Sequence, residues 1–178
     1  MRNTSSNKGM AVLVVAATLA ACSSQPPEWV INPKLEGGFA ATECIVDSGN
    51  MSLDRQIVVA KSRAEISKQV ELRVAAMDKT YTRLTEESPP PGGVAPRSLQ
   101  TAFESVSKQI SEQTLSGLAP ERVEYIEWND RRQLCAMITL PKPKGQEIFN
   151  SVMRAANVAP EGRVQQALYQ EFTAPQNE

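Results

Sequence analysis

The chain has 178 residues with 19 Lys and Arg, 20 Asp and Glu and no histidine, a formal net charge of −1. Such a balanced charge gives no electrostatic reason to expect nucleic-acid binding. The absence of histidine excludes Ser-His-Asp and Cys-His catalysis and the usual zinc ligand sets. With no glycine-rich phosphate loop either, we expect a protein that is not an enzyme and has no cofactor, metal or small-molecule substrate.

Residues 1–21 have the layout of a secretory signal peptide. Arg2 and Lys8 give a basic start, and a short apolar run from Met10 to Leu19 follows. The run is about half of the roughly 20 residues that a membrane-spanning helix needs. We therefore expect cleavage rather than a permanent transmembrane anchor. Removing 21 of the 178 residues leaves 157, enough for one domain, with 17 basic and 20 acidic residues.

A second motif gives the cleavage site a specific meaning, because Leu19-Ala20-Ala21-Cys22 resembles the lipobox of bacterial lipoproteins. The resemblance implies a diacylglyceryl group on the Cys22 thiol, cleavage before Cys22, and acylation of the new amine. The alternative is an ordinary cleavage site with a chance cysteine. Burial contributes about 0.8 kcal/mol per CH₂, so three chains would anchor the protein firmly. Ser23, rather than Asp, favours the outer membrane by resemblance to the enterobacterial sorting rule, with the domain facing the periplasm.

Residues 22–36 are predicted to form the lipidated cysteine and a short proline-containing tether. We expect Trp29 to pack on the domain; its alternative role is at a partner surface or among lipid headgroups. A strand is predicted over Phe39–Val46, with Cys44 on one face and Ile45 on the other.

Two cysteines remain besides Cys22. An even count in an oxidising compartment predicts one disulfide, between Cys44 and Cys135. The alternative is two buried free thiols on separate strands. The bond would close a loop of about ninety residues and stabilise the fold by about 4 kcal/mol in the chain-entropy model.

A long helix is predicted over 53–86, with Ser52 as its N-cap. Apolar residues recur at three- and four-residue steps and are expected to face a sheet: Leu53, Ile57, Ala60, Ala64, Ile66, Val70, Val74, Met77, Tyr81 and Leu84. A helix of about thirty residues is roughly 45 Å long. Because this exceeds what a small sheet covers, we expect the distal end, from Met77 onward, to extend beyond the domain and meet a neighbour.

The proline- and glycine-rich segment 88–93 is predicted to be a connector rather than a proline-motif ligand. Ser98 is expected to cap a second helix over 99–115. Strands at 123–128 and 133–140 flank Asn129-Asp130 as an antiparallel hairpin. The second of these strands is apolar on both faces, which predicts a central position.

A third helix is predicted near 146–156, and a weak one over 164–172. The order of elements predicts an α+β domain over 37–157. In it, a small, mainly antiparallel sheet of about three strands is packed by the long helix and two further helices in two layers. Residues 158–178 are expected to form a C-terminal extension, partly helical or disordered.

Several of these features together resemble the LPP-twenty lipoprotein family. They are the lipobox, Pro27-Glu28-Trp29 near the tether, the strand Phe39–Val46, and the helix start Ala60-Lys61-Ser62-Arg63-Ala64-Glu65-Ile66-Ser67. The terminal strand pair also fits, so the resemblance covers about residues 27 to 140. Glu43, Cys44 and the Pro-Pro-Pro-Gly-Gly insertion depart from the pattern.

The resemblance implies a non-enzymatic envelope protein, since some members build oligomeric discs or rings around the flagellar motor and others are surface antigens. We expect a lipid-anchored outer-membrane lipoprotein with a structural role, self-associating around a flagellar or other envelope machine. Its expected partners are outer-membrane lipid, through acylated Cys22, and protein partners or further copies of itself. The alternative is a regulator or docking partner of a periplasmic enzyme such as a cell-wall synthase.

Overall fold

The computed structural model describes residues 25–87, 98–115, 117–158 and 162–174. The elements in chain order are α1 (Glu28–Ile31), β1 (Phe39–Val46), α2 (Met51–Glu87), α3 (Leu99–Gln109) with a π-helical continuation (Ile110–Leu115), β2 (Pro120–Trp128), β3 (Arg131–Leu140), α4 (Lys142–Ala155) and α5 (Arg163–Thr173). The predicted signal peptide 1–21 and connector 88–93 lie outside the described residues.

The three strands form one antiparallel sheet in the order β1-β3-β2. The prediction of a central β3 is confirmed: its alternate residues Leu134, Ala136 and Ile138 are buried against α2 and its neighbours. The predicted hairpin turn is also present. Asn129 and Asp130 both have positive φ, 53° and 56°, as a two-residue type I′ turn requires. The α+β class, with its antiparallel sheet and long helix, is therefore confirmed.

Helix α2 begins two residues earlier than predicted. The cap is Asn50 rather than Ser52, because Asn50 Oδ1 accepts a hydrogen bond from the Leu53 N–H at 3.2 Å. The buried residues of α2 are Asp54, Val58, Ser62, Ile66, Val70, Val74, Met77 and Tyr81. The second half of the predicted stripe, from Ile66 to Tyr81, is thus correct.

The first half of that prediction is wrong, because Leu53, Ile57, Ala60 and Ala64 are exposed. The buried positions from Asp54 to Val74 recur every four residues. Four residues rotate by about 400° about the helix axis, so each buried position lies about 40° further round the helix than the one before it. The face that meets the sheet therefore rotates along α2. Two of its first three positions, Asp54 and Ser62, are polar, which concealed this face in the sequence.

Asp54 and Ser62, the two fully buried polar residues of α2, both have hydrogen-bond partners. Asp54 accepts the Ser48 N–H at 2.9 Å and the Ser48 hydroxyl at 2.7 Å. These bonds, the backbone one foremost, hold the pKa of Asp54 below its ordinary value and tie the β1–α2 turn to the helix. The Ser62 hydroxyl lies 3.0 Å from the Val58 carbonyl and 2.8 Å from that of Ala136. It therefore joins α2 to the central strand.

The expectation that α2 extends beyond the domain from Met77 is wrong. Met77 and Tyr81 are buried, and the Asp78 carboxylate accepts the Leu99 N–H at 2.6 Å and the Ser98 hydroxyl at 3.1 Å. Ser98 itself caps α3 as predicted, by accepting the Thr101 N–H. Helix α3 thus folds back over the distal part of α2 and covers it.

The core also extends past residue 157, the expected end of the domain. Helix α5 buries Leu168 and Phe172 completely, and the Phe172 ring centroid lies 5.4 Å from that of Phe39. Helix α4 starts at Lys142, four residues before its predicted start, since Pro143 is accommodated in the first turn, where a helix needs no N–H donor. The described core residues run from Phe39 to Phe172, so α5 is an integral part of the domain.

Candidate functional site

Cys22, the predicted lipidation site, lies outside the described residues with the rest of the lipobox. Its acylation therefore stays a prediction. Within residues 25–87, 98–115, 117–158 and 162–174, no helix is both long and apolar enough to cross a membrane. The same residues contain no group of three or more Cys, Asp or Glu side chains placed to hold a metal ion.

Cys44 and Cys135 form a disulfide in the structure, as predicted. They lie directly opposite each other in the β1–β3 register, with their Cα atoms 4.1 Å apart. Their side chains project from the sheet face opposite α2, since the neighbouring residues Leu134 and Ala136 pack against the helix. Cys135 is completely buried and Cys44 is half-buried. The bond therefore joins the edge strand β1 to the central strand across that second face.

The second face of the sheet is partly covered by α1. The Trp29 carbonyl accepts a 2.7 Å hydrogen bond from the Thr42 hydroxyl. The Arg122 guanidinium lies 5.3 Å from the centroid of the Trp29 ring, within the range of a cation–π contact. The expected packing of Trp29 on the domain is thus observed. The segment that follows Cys22 therefore contacts the sheet directly through α1.

The main exposed apolar feature of α2 is the α2 stripe, which we define as Leu53, Ile57, Ala60 and Ala64. Leu53 is 49% exposed and Ile57 41% exposed, and both alanines are exposed. The spacing of four, three and four residues is that of the a and d positions in a coiled-coil seam. A lone exposed apolar residue needs no explanation, but consecutive ones along one helix face indicate a contact surface.

Two lysines beside the α2 stripe, Lys61 and Lys68, have carboxylate partners within the chain. Lys61 Nζ lies 3.9 Å from Glu43 Oε2, and Lys68 Nζ lies 3.6 Å from Glu65 Oε2. Exposed ion pairs of this kind contribute little to stability. These two pairs do, however, add no net charge beside the stripe, so they do not by themselves repel a second copy. The apolar periodicity of the sequence identifies the four residues of the α2 stripe but predicts them to lie in the core.

No protein-family model, curated protein or solved structure matches this chain. The resemblance to the LPP-twenty family therefore rests on the sequence motifs alone.

Proposed function

We propose that the protein is a lipid-anchored outer-membrane lipoprotein with a structural, non-catalytic role in the cell envelope, whose copies associate through the α2 stripe. The observation that carries the proposal is the exposure of a coiled-coil-like seam on a domain that follows a lipobox-like sequence, Leu19-Ala20-Ala21-Cys22. The resemblance to a family with ring- and disc-forming members agrees with it.

A second copy of the same chain is the occupant that fits the stripe best. Ala60 and Ala64 have small side chains, so two α2 helices can approach closely there. Leu53 and Ile57 are large enough to pack over the facing alanines when the helices run antiparallel. Burying an aliphatic side chain of this size contributes about 1.5–3 kcal/mol. Copies anchored in one leaflet also share a surface, which raises their effective concentration without any new contact.

The anchor is tested by replacing the lipid-accepting thiol, Cys22→Ser. Intact mass spectrometry of the wild-type protein is expected to show a chain that starts at Cys22 and carries a diacylglyceryl group and an amide-linked acyl chain. The variant is expected to keep residues 1–21 and to carry no lipid. Ser23→Asp is the matched control, because it should be acylated normally but retained in the inner membrane. An unmodified Cys22 in the wild-type protein would refute the anchor.

The association surface is tested by Leu53→Glu combined with Ile57→Glu. Both side chains are exposed, so the fold should be unaffected. In the dimer, however, two carboxylates per copy would be buried against the facing alanines without a hydrogen-bond partner, which costs free energy. We expect the dissociation constant of the self-associated form to rise about 100-fold or more, which corresponds to losing roughly 2.7 kcal/mol. Analytical ultracentrifugation of the chain from residue 23 to 178 measures this shift.

Leu72→Glu is the matched control for the association surface. Leu72 is 58% exposed on the same helix but lies about 100° round the axis from Leu53. This variant should therefore associate like the wild type. A wild-type chain that stays monomeric throughout, or equal dissociation by both variants, would contradict the proposed interface and favour a different protein as the occupant.

A further inference from the structure

A second feature, separate from the α2 stripe, is a cleft beside the tether, here called the loop cleft. The segment 32–38 forms one wall, α2 contributes Gln69 and Arg73, and the start of α4 and the end of α5 complete it. Its volume of about 570 Å³ lies within the range of small-ligand sites. Gly38 keeps the wall close to the sheet, since a Cβ there would lie 2.5 Å from the Leu140 carbonyl oxygen.

The charge of the loop cleft differs from that of the whole chain. Lys34, Arg73 and Lys142 line it, against one carboxylate, Glu36. The first turn of α4 also lines the cleft. Pro143 has no N–H there, and the N–H groups of Lys144 and Gly145 donate to the Pro141 carbonyl, but the positive end of the helix dipole still adds to the three cations. The cleft is thus suited to an anion, whereas the chain as a whole is nearly neutral.

Arg73 has hydrogen-bonding capacity that the described residues do not use. One of its terminal nitrogens donates to the Ala174 carbonyl, which fixes the guanidinium against the end of α5. Its Nε is buried and has no partner among the described residues. A guanidinium has five N–H donors in a planar fork that matches phosphate oxygens. Arg73 is therefore held at the wall of the cleft by the end of α5, and its Nε–H is not used by the described residues.

The cleft is also lined by aromatic and aliphatic side chains. Phe39 and Phe172 are buried at its base, in an edge-to-face contact, and Tyr169 lies beside them. At the rim, Ile31 is 57% exposed. A fully hydrated inorganic anion gains nothing from such a base, whereas a phosphate ester with an apolar substituent contacts both parts of the cleft.

We propose that the loop cleft binds the phosphate group of a membrane lipid, with the glycerol and the first acyl carbons against the aromatic base. The proposal rests on the proposed membrane anchoring. Asn32 at the cleft is only ten positions after Cys22, a reach of at most about 36 Å when extended. The anchor therefore holds the cleft near the headgroups, and Ile31 provides an apolar contact next to it. Binding there orients the domain on the membrane surface.

The test uses the chain from residue 23 to 178, which contains every described element, the whole described core and both bonded cysteines. Dihexanoyl phosphatidylglycerol, kept below its micelle concentration, is titrated calorimetrically, with inorganic phosphate and uncharged dihexanoylglycerol as comparators. We expect saturable binding of the phospholipid, about tenfold tighter than either comparator. Equal affinity for inorganic phosphate would overturn the lipid assignment, and equal affinity for dihexanoylglycerol would overturn the role of the phosphate.

The residues are tested by Arg73→Gln combined with Lys142→Gln, which should weaken phospholipid binding about tenfold or more. Lys142→Gln alone should weaken phospholipid binding severalfold. Because Lys142 is exposed, this variant should fold normally even if the substitution of Arg73 disturbs the fold. The control, Lys108→Gln with Arg131→Gln, removes the same charge far from the cleft and should bind like the wild type. Equal weakening by both pairs would overturn the site. Because this chain carries no acyl group, failure here leaves the Cys22 test unaffected.

Discussion

Replacing Cys44 and Cys135 together by alanine is expected to lower the free energy of unfolding by about 4 kcal/mol. The two cysteines are 91 residues apart in the chain, so their bond greatly restricts the unfolded ensemble. Typical domains are stable by about 5–15 kcal/mol in total. The loss is therefore a large fraction of the total and should be easy to measure. Urea unfolding followed by circular dichroism measures the difference.

Two controls separate the cross-link from the side chains themselves. Cys44→Ala alone removes the same cross-link, so its loss of stability should be close to that of the double variant. Adding a reductant to the wild-type chain should reproduce most of the loss without any substitution. If the double variant remains within about 1 kcal/mol of the wild type, the cross-link does not constrain the unfolded chain as the entropy model requires.

Two-residue periodicity and turn chemistry were sufficient to predict the sheet. The run from Leu134 to Leu140 is apolar on both faces, which only a central strand needs, and Asn129-Asp130 supplies two residues that tolerate positive φ. The cysteine pairing followed from composition and from the two strands. The strand and turn signals are local, and the cysteine pairing, although 91 residues apart, was limited to one choice once Cys22 was assigned to the lipid.

The packing of α2 was only half predictable, for a physical reason. Asp54 and Ser62 occupy buried positions because hydrogen bonds to Ser48 and to the Ala136 carbonyl satisfy them. No periodicity of apolar residues can reveal such positions, and the exposed Leu53 and Ile57 fitted the expected pattern equally well. The α2 stripe became visible as a surface only when the sheet was in place.

The loop cleft could not be predicted at all from sequence. Lys34, Arg73 and Lys142 are dozens of residues apart and lie on a loop and two different helices. Each reads as an ordinary surface cation when taken alone. Their proximity depends on how α4 and α5 dock against α2, and the sequence pattern places α5 in an extension outside the domain.

The place of α5 in the domain is tested most directly by Phe172→Ala, expected to lower the free energy of unfolding by about 3–5 kcal/mol. Phe172 is 1% exposed, and its ring centroid lies 5.4 Å from that of Phe39 and 5.7 Å from that of Phe149. Truncating it removes contacts with β1 and α4 at once and leaves a cavity that neither element can easily fill. Urea unfolding with the disulfide intact measures the loss.

Gln170→Ala is the matched control for this core substitution, because Gln170 is exposed on the same helix and alanine favours helix formation. Its effect should stay within about 0.5 kcal/mol of zero. A similarly small effect of Phe172→Ala would mean that α5 does not pack on the core and that the domain ends near residue 157, as the sequence alone had indicated. A large effect of Phe172→Ala, with none of Gln170→Ala, would establish that the end of α5 packs firmly on the core beside the loop cleft. The loop cleft needs this packing, because Arg73 is oriented by the Ala174 carbonyl at the end of that helix.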